Sequence, residues 1–164
     1  MPAALPLLLV AAALAVVTRR HRAPPGRYFS WSEVYDGQPR RADVDAAATK
    51  LARSVLDPLR DAVGGPLHVS SWYRSPERNA ATPGASSTSQ HLTGEAADVW
   101  AAGFSARELA DLLDRLELPF DQLIAYTPER GGHVHVSLSA DGRQRGELRW
   151  AGPAGGYTPV RSFA

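Results

Sequence analysis

Five histidines stand in this chain of 164 residues, and three of them fall in two short strings rich in possible metal ligands. The first string is Ser89-Gln90-His91-Leu92-Thr93-Gly94-Glu95-Ala96-Ala97-Asp98. His91 stands where a polar loop meets a strand, and Gly94 permits the tight turn between them. Ala96 and Ala97 leave room beside the Asp98 carboxylate, which on a strand shares a face with Ala96 and Trp100. The second string is His133-Val134-His135-Val136-Ser137. A strand's period of two puts both imidazoles on one face and both valines on the other, toward a core. Buried imidazoles without partners are costly, and a divalent metal is one such partner. Two histidines and one carboxylate around that ion leave a fourth tetrahedral position for water, the arrangement of a catalytic zinc site. A third string, Ser70-Ser71-Trp72-Tyr73-Arg74-Ser75-Pro76-Glu77-Arg78-Asn79, ends a strand in Arg74 just before a helix start. The planar fork of its guanidinium suits a carboxylate.

Composition narrows the chemistry further. Cysteine is absent, which excludes disulfides, thiol nucleophiles and cysteine-bearing zinc sites, so any metal must be held by His, Asp or Glu. Eighteen basic side chains against 17 acidic ones give a net charge of +1, and Lys50 is the sole lysine. No basic stripe is available for nucleic acid. With 44% hydrophobic and 21% charged residues, the chain reads as globular.

These strings need elements to hold them. Residues 1–18 carry no charged side chain, and the apolar run from Ala3 to Val17 would reach roughly 23 Å as a helix at ~1.5 Å per residue, short of a full bilayer core. Arg19-Arg20-His21-Arg22 follows, then a linker at residues 23–27. We read residues 1–22 as a signal peptide or membrane anchor with its basic cluster. The positive-inside rule would keep that cluster in the cytoplasm. The chemistry argues for export, and an extracytoplasmic location is expected. Residues 28–164 form one domain.

Within that domain, Asp43 to Val63 has helical periodicity interrupted by Pro58, and Gly64-Gly65-Pro66 ends it. Leu67 to Tyr73 is a predicted strand, Ser75-Pro76 a helix cap, and Ala80 to Thr88 a loop. Ala96 to Trp100 is a strand, and Ser105 caps an amphipathic helix running to Leu116. Asp121 to Tyr126, His133 to Leu138 and Gly146 to Trp150 are further strands. Without regular βαβ alternation, the pattern predicts a small α+β domain with helices packed on a mainly antiparallel sheet.

SSWYRSPERN, SQHLTGEAADVW, PFDQLI and HVHVS, in this order, resemble the M15 family of zinc D-Ala-D-Ala peptidases, closest to its M15A group with the Hedgehog/DD-peptidase fold. The resemblance runs from about Arg27 to Trp150, and Ser89, His91, Gly94, Ala96 and Asp98 all match its S-x-H-x-x-G-x-A-x-D string. It implies one Zn2+ per chain held by His91, Asp98 and His135, with His133 catalytic and Arg74 and Ser89 on the substrate. It also implies a hydrolase acting on peptidoglycan stem peptides; separately from the resemblance, a monomer is expected. Many relatives place a carboxylate base three residues before the last zinc histidine, where this chain has Gly132. Either His133 takes that role, or the loop folds Glu129 inward, or activity is reduced. A non-catalytic zinc-containing peptidoglycan-binding module and a phage-type endolysin peptidase are the competing functions.

Blander readings exist for single residues. His91 with Asp98, taken alone, is an ordinary hydrogen-bonded pair. Arg74 would be a surface ion pair with Glu77, His68 a structural histidine, and Asp121 or Gln122 a turn residue or a partner orienting a ligand histidine.

Overall fold

The computed structural model describes residues 23–163. The apolar segment and basic cluster at 1–22 lie outside them. Residues 23–27, expected as a linker, run onto the domain, with Pro25 and Gly26 buried and the Pro25 carbonyl accepting from Arg53 Nε at 3.3 Å. Among the described residues no helix is long and apolar enough to cross a membrane.

Helix α1 (Trp31–Tyr35) starts at Ser30, whose hydroxyl and the Glu33 carboxylate cap each other's backbone in a capping box. Ser32 and Glu33 lie inside its first turn. Helix α2 (Ala42–Leu51) passes through a π-helical turn (Ala52–Leu56) into α3 (Asp57–Val63). The predicted interruption is real, and it takes the form of this turn. Pro58 has no N–H to give the ladder, and widening the preceding turn lets the helical run pass it without breaking. Leu51, Ala52, Val55, Leu56 and Leu59 are all fully buried through the passage. Gly64, at φ 70°, ends α3.

Strand β1 (Leu67–Ser71) leads to α4 (Pro76–Ala81), capped by the Ser75 hydroxyl on Arg78 N–H. A 3-10 turn (Gln90–Thr93) precedes β2 (Ala96–Ala101), and α5 (Ala106–Arg115) begins at a second capping box, Ser105 with Glu108. Then come β3 (Gln122–Tyr126), a 3-10 turn (Pro128–Arg130), β4 (Val134–Ser137), β5 (Glu147–Ala151) and the short β6 (Thr158–Pro159). The six strands are ordered β1-β2-β4-β3-β5-β6. Every neighbouring pair is antiparallel except β3 with β5. This is the predicted α+β domain.

The core lies between the helices and one face of the sheet. Val99, Leu123, Ala125, Val134 and Val136 meet Leu109, Ala110 and Leu113 of α5 and the α2–α3 run there. Fully burying each valine or leucine stabilises the fold by about 1.5–3 kcal/mol. The alternation that sends Val134 and Val136 into this core forces His135 to the opposite face.

Candidate metal centre

The centre is built on the central β2–β4 pair, where Asp98 stands directly opposite His135. His91 arrives from outside the sheet. Its 3-10 turn is capped by the Ser89 hydroxyl on His91 N–H at 3.4 Å and closed by Gly94 at φ 75°. A Cβ at Gly94 would lie 2.7 Å from Val44 Cγ1, so only glycine lets the turn lie against α2 here. The Gly94 carbonyl accepts from the indole of buried Trp72 at 3.0 Å. Trp72 thereby braces both ends of the turn, because its own carbonyl takes the His91 Nδ1 proton at 2.6 Å. That bond fixes the tautomer, and His91 Nε2 faces the centre as a lone pair.

Three atoms converge. His91 Nε2 lies 3.2 Å from Asp98 Oδ1 and 3.2 Å from His135 Nδ1, and the last two are 3.0 Å apart. All three residues are buried. A tetrahedral ion with bonds of about 2.0–2.1 Å separates its ligands by about 3.3 Å, close to each side of this triangle. Two ring nitrogens and a carboxylate oxygen pressed together away from water call for a positive charge between them. The donor set therefore fits a divalent metal. Burial pushes the Asp98 carboxyl up, but its contacts with His91 and His135 outweigh that and hold it well below the usual carboxylate range. Burial wins at His135, whose imidazole is held below its ordinary value and so stays neutral, as a ligand must be.

Arg74 and His133 flank the triangle. The Arg74 backbone N–H donates to the His91 carbonyl at 3.0 Å, tying the two strings together. Its guanidinium donates from Nη2 to Asp98 Oδ2 at 2.5 Å and from Nε to Ser71 Oγ at 2.8 Å. Its carboxylate partner is thus Asp98, at the centre, rather than Glu77 on the surface. His133 sits just before β4 and on the same face as His135, its Nε2 4.0 Å from Asp98 Oδ1. Gly131, at φ 103°, wraps the other side, where a Cβ would lie 2.9 Å from His133 Nδ1. Burial holds the His133 imidazole below its ordinary value. Glu129 is exposed on its 3-10 turn, so the loop does not fold that carboxylate inward.

Some partners are invisible in the sequence. Tyr126 stacks on His133 with ring centroids 4.4 Å apart and planes 19° apart, and Trp100, 41% exposed, stacks in the same way on His68 at 4.2 Å. Both pairs follow from strand register: His68 pairs with Trp100, and Tyr126 N–H donates to the His133 carbonyl. Aromatic residues at strand ends were the available signal. Asp121 and Gln122 do not orient a histidine. Asp121 is buried under the Arg145 guanidinium, which donates to it at 2.5 and 3.0 Å, and Gln122 donates to Glu147. The orienting role belongs to the Trp72 carbonyl.

A mainly antiparallel sheet with a buried His-Asp-His triangle on its open face, flanked by an arginine and a further histidine, is a centre of the metallopeptidase class. A family model described as Peptidase M15 matches residues 28–137, about two thirds of the chain. The protein belongs to that family of metal-dependent peptidases. No curated protein matches the chain.

Proposed function

We propose that this chain is a zinc peptidase that hydrolyses amide bonds in peptidoglycan stem peptides, in the manner of a D-Ala-D-Ala carboxypeptidase, and that it acts outside the cytoplasm. The observation that carries the reading is the triangle of His91 Nε2, Asp98 Oδ1 and His135 Nδ1, with sides of 3.0–3.2 Å. Those three residues would hold the ion. Bound there, zinc supplies a Lewis acid and lowers the pKa of a coordinated water toward ~7.

The chain's own groups supply the rest. Arg74 has spent two of its five N–H donors on Ser71 and Asp98, and the others are available to a substrate carbonyl or carboxylate. Its planar fork fixes the direction of that oxygen as well as attracting it. The Ser89 hydroxyl is a further substrate contact in this reading. His133 holds its Nε2 toward the centre and moves a proton there, taking it from the attacking water and returning it to the leaving amine. Gly132 offers no carboxylate for that task, and Glu129 points away.

The test is metal analysis of the purified protein joined to incubation with muropeptides read by mass spectrometry. We expect about one zinc per chain, cleavage with loss of a terminal residue, and a sharp fall in both for His135→Ala. Stoichiometric zinc retained in His135→Ala would refute the ligand set. Zinc without cleavage in the wild type would leave a binding module in place of an enzyme.

A further inference from the structure

The wall beyond His133 carries a cation, Arg130, that no carboxylate among the described residues neutralises. Tyr126, half-buried, stacks on His133 and donates or accepts a hydrogen bond with Tyr157 at 3.1 Å between the hydroxyls. Arg130 lies against both rings, its guanidinium carbon 5.2 Å from the Tyr126 centroid and 5.3 Å from that of Tyr157. Its Nη1 donates to the Gly156 carbonyl at 2.7 Å, which pins the glycine-rich turn before β6 and leaves the other N–H donors of the fork uncommitted. Most other arginines among the described residues are paired with carboxylates, for example Arg40 with Asp45, Arg78 with Asp36 and Arg145 with Asp121. Among the described residues Arg130 has no carboxylate within 4.0 Å, although Glu129 is its neighbour in sequence. Tyr157 is 45% exposed, so the cluster is open to solvent on one side.

We propose that Arg130, with the hydroxyls of Tyr126 and Tyr157, forms a subsite for a carboxylate on the substrate, away from the scissile bond. The inference rests on the peptidase reading of the site and names one determinant of its specificity. Two features support it. The rings pre-orient the guanidinium, since cation–π contact with both of them costs it little of its freedom to donate. The reach also fits: from the His133 ring the path runs 4.4 Å to Tyr126 and 5.2 Å on to Arg130. An extended peptide covers that in about three residues, at roughly 3.3–3.6 Å each. Tyr157 lies beyond the stretch that matches the family, so this wall belongs partly to the chain's C-terminal segment.

The experiment uses the zinc-loaded full chain and two synthetic stem peptides, identical except that an acidic residue near the scissile amide carries a carboxylate in one and a carboxamide in the other. Binding is measured by calorimetry and cleavage by mass spectrometry. The wild type is expected to bind the carboxylate peptide roughly tenfold or more tightly, as befits charge-assisted hydrogen bonds. Arg130→Gln should bind the two peptides alike, with zinc content unchanged and a melting temperature lowered only slightly by the lost Gly156 bond, and the loss should appear in KM with kcat kept. Arg130→Lys keeps the charge without the fork and should discriminate only weakly. Equal wild-type affinity for the two peptides, or full discrimination surviving in Arg130→Gln, overturns the subsite. Discrimination without cleavage would refute the peptidase reading and leave the subsite standing. Cleavage without discrimination does the reverse.

Discussion

Replacing His133 separates chemistry from architecture, because the structure gives each a different size. His133 is not a corner of the triangle: its Nε2 lies 4.0 Å from Asp98 Oδ1, whereas the three converging atoms lie within 3.2 Å of one another. Removing it should leave metal affinity nearly intact. Its contribution to stability is mainly the stack on Tyr126, and such aromatic pairs are worth about 0.5–1.5 kcal/mol beyond their burial. A general acid/base group contributes on the order of 10²- to 10⁴-fold in rate, or about 2.7–5.5 kcal/mol of barrier. His133→Ala should therefore lose a little stability and most of its activity. His133→Phe restores a ring over Tyr126 but cannot exchange protons, so it should recover stability without rate. The assay is zinc content, urea midpoint and single-turnover muropeptide cleavage for both variants beside Glu129→Ala, which should behave as wild type. An active His133→Phe together with an inactive Glu129→Ala would refute the assignment of the proton-transfer group.

Two more outcomes follow from the same geometry. Arg74→Lys keeps a positive charge beside Asp98 but loses the fork, and muropeptide turnover should fall at least tenfold with zinc content unchanged; wild-type turnover would show that Arg74 only balances the Asp98 charge. In chelator, the ion-free protein should lose stability as pH falls below about 6.5, because burial holds His133 and His135 below their ordinary values and the unfolded chain takes up protons that the folded one refuses. Equal urea midpoints at about pH 8 and about pH 5.5 would contradict that burial.

What could be read in the sequence was local. His135 opposite two core valines is a consequence of strand period, and His91 before Gly94 is a consequence of turn chemistry, so both appear in a string of a few residues. The caps at Ser75 and Ser105 are equally local. Pairings across the sheet are not. Tyr126 meets His133 only because β3 lies beside β4, and Trp100 meets His68 only because β2 lies beside β1. The parallel pairing of β3 with β5 depends on where the chain returns after β4, which no periodicity encodes. Asp121 reads as a turn residue until Arg145, 24 positions away, comes back to cover it.

Register is the step that joins the legible strings into a centre. Asp98 pairs with His135 across β2 and β4, and Val99 with Val134 one position along. A slip of one residue in either strand would turn its carboxylate or imidazole into the core and its valine outward. Burying an unpaired Asp98 or His135 among valines would cost several kcal/mol, on top of the lost burial of the valine itself. The metal ligands and the core residues therefore select the same pairing. Hydrophobic burial sets the register, and the register fixes the 3.0 Å approach of His135 Nδ1 to Asp98 Oδ1. His91 alone is placed by other means, and for that reason its support is the most elaborate: a hydroxyl cap, a glycine that α2 leaves room for, and a tryptophan bonded to the turn at both ends.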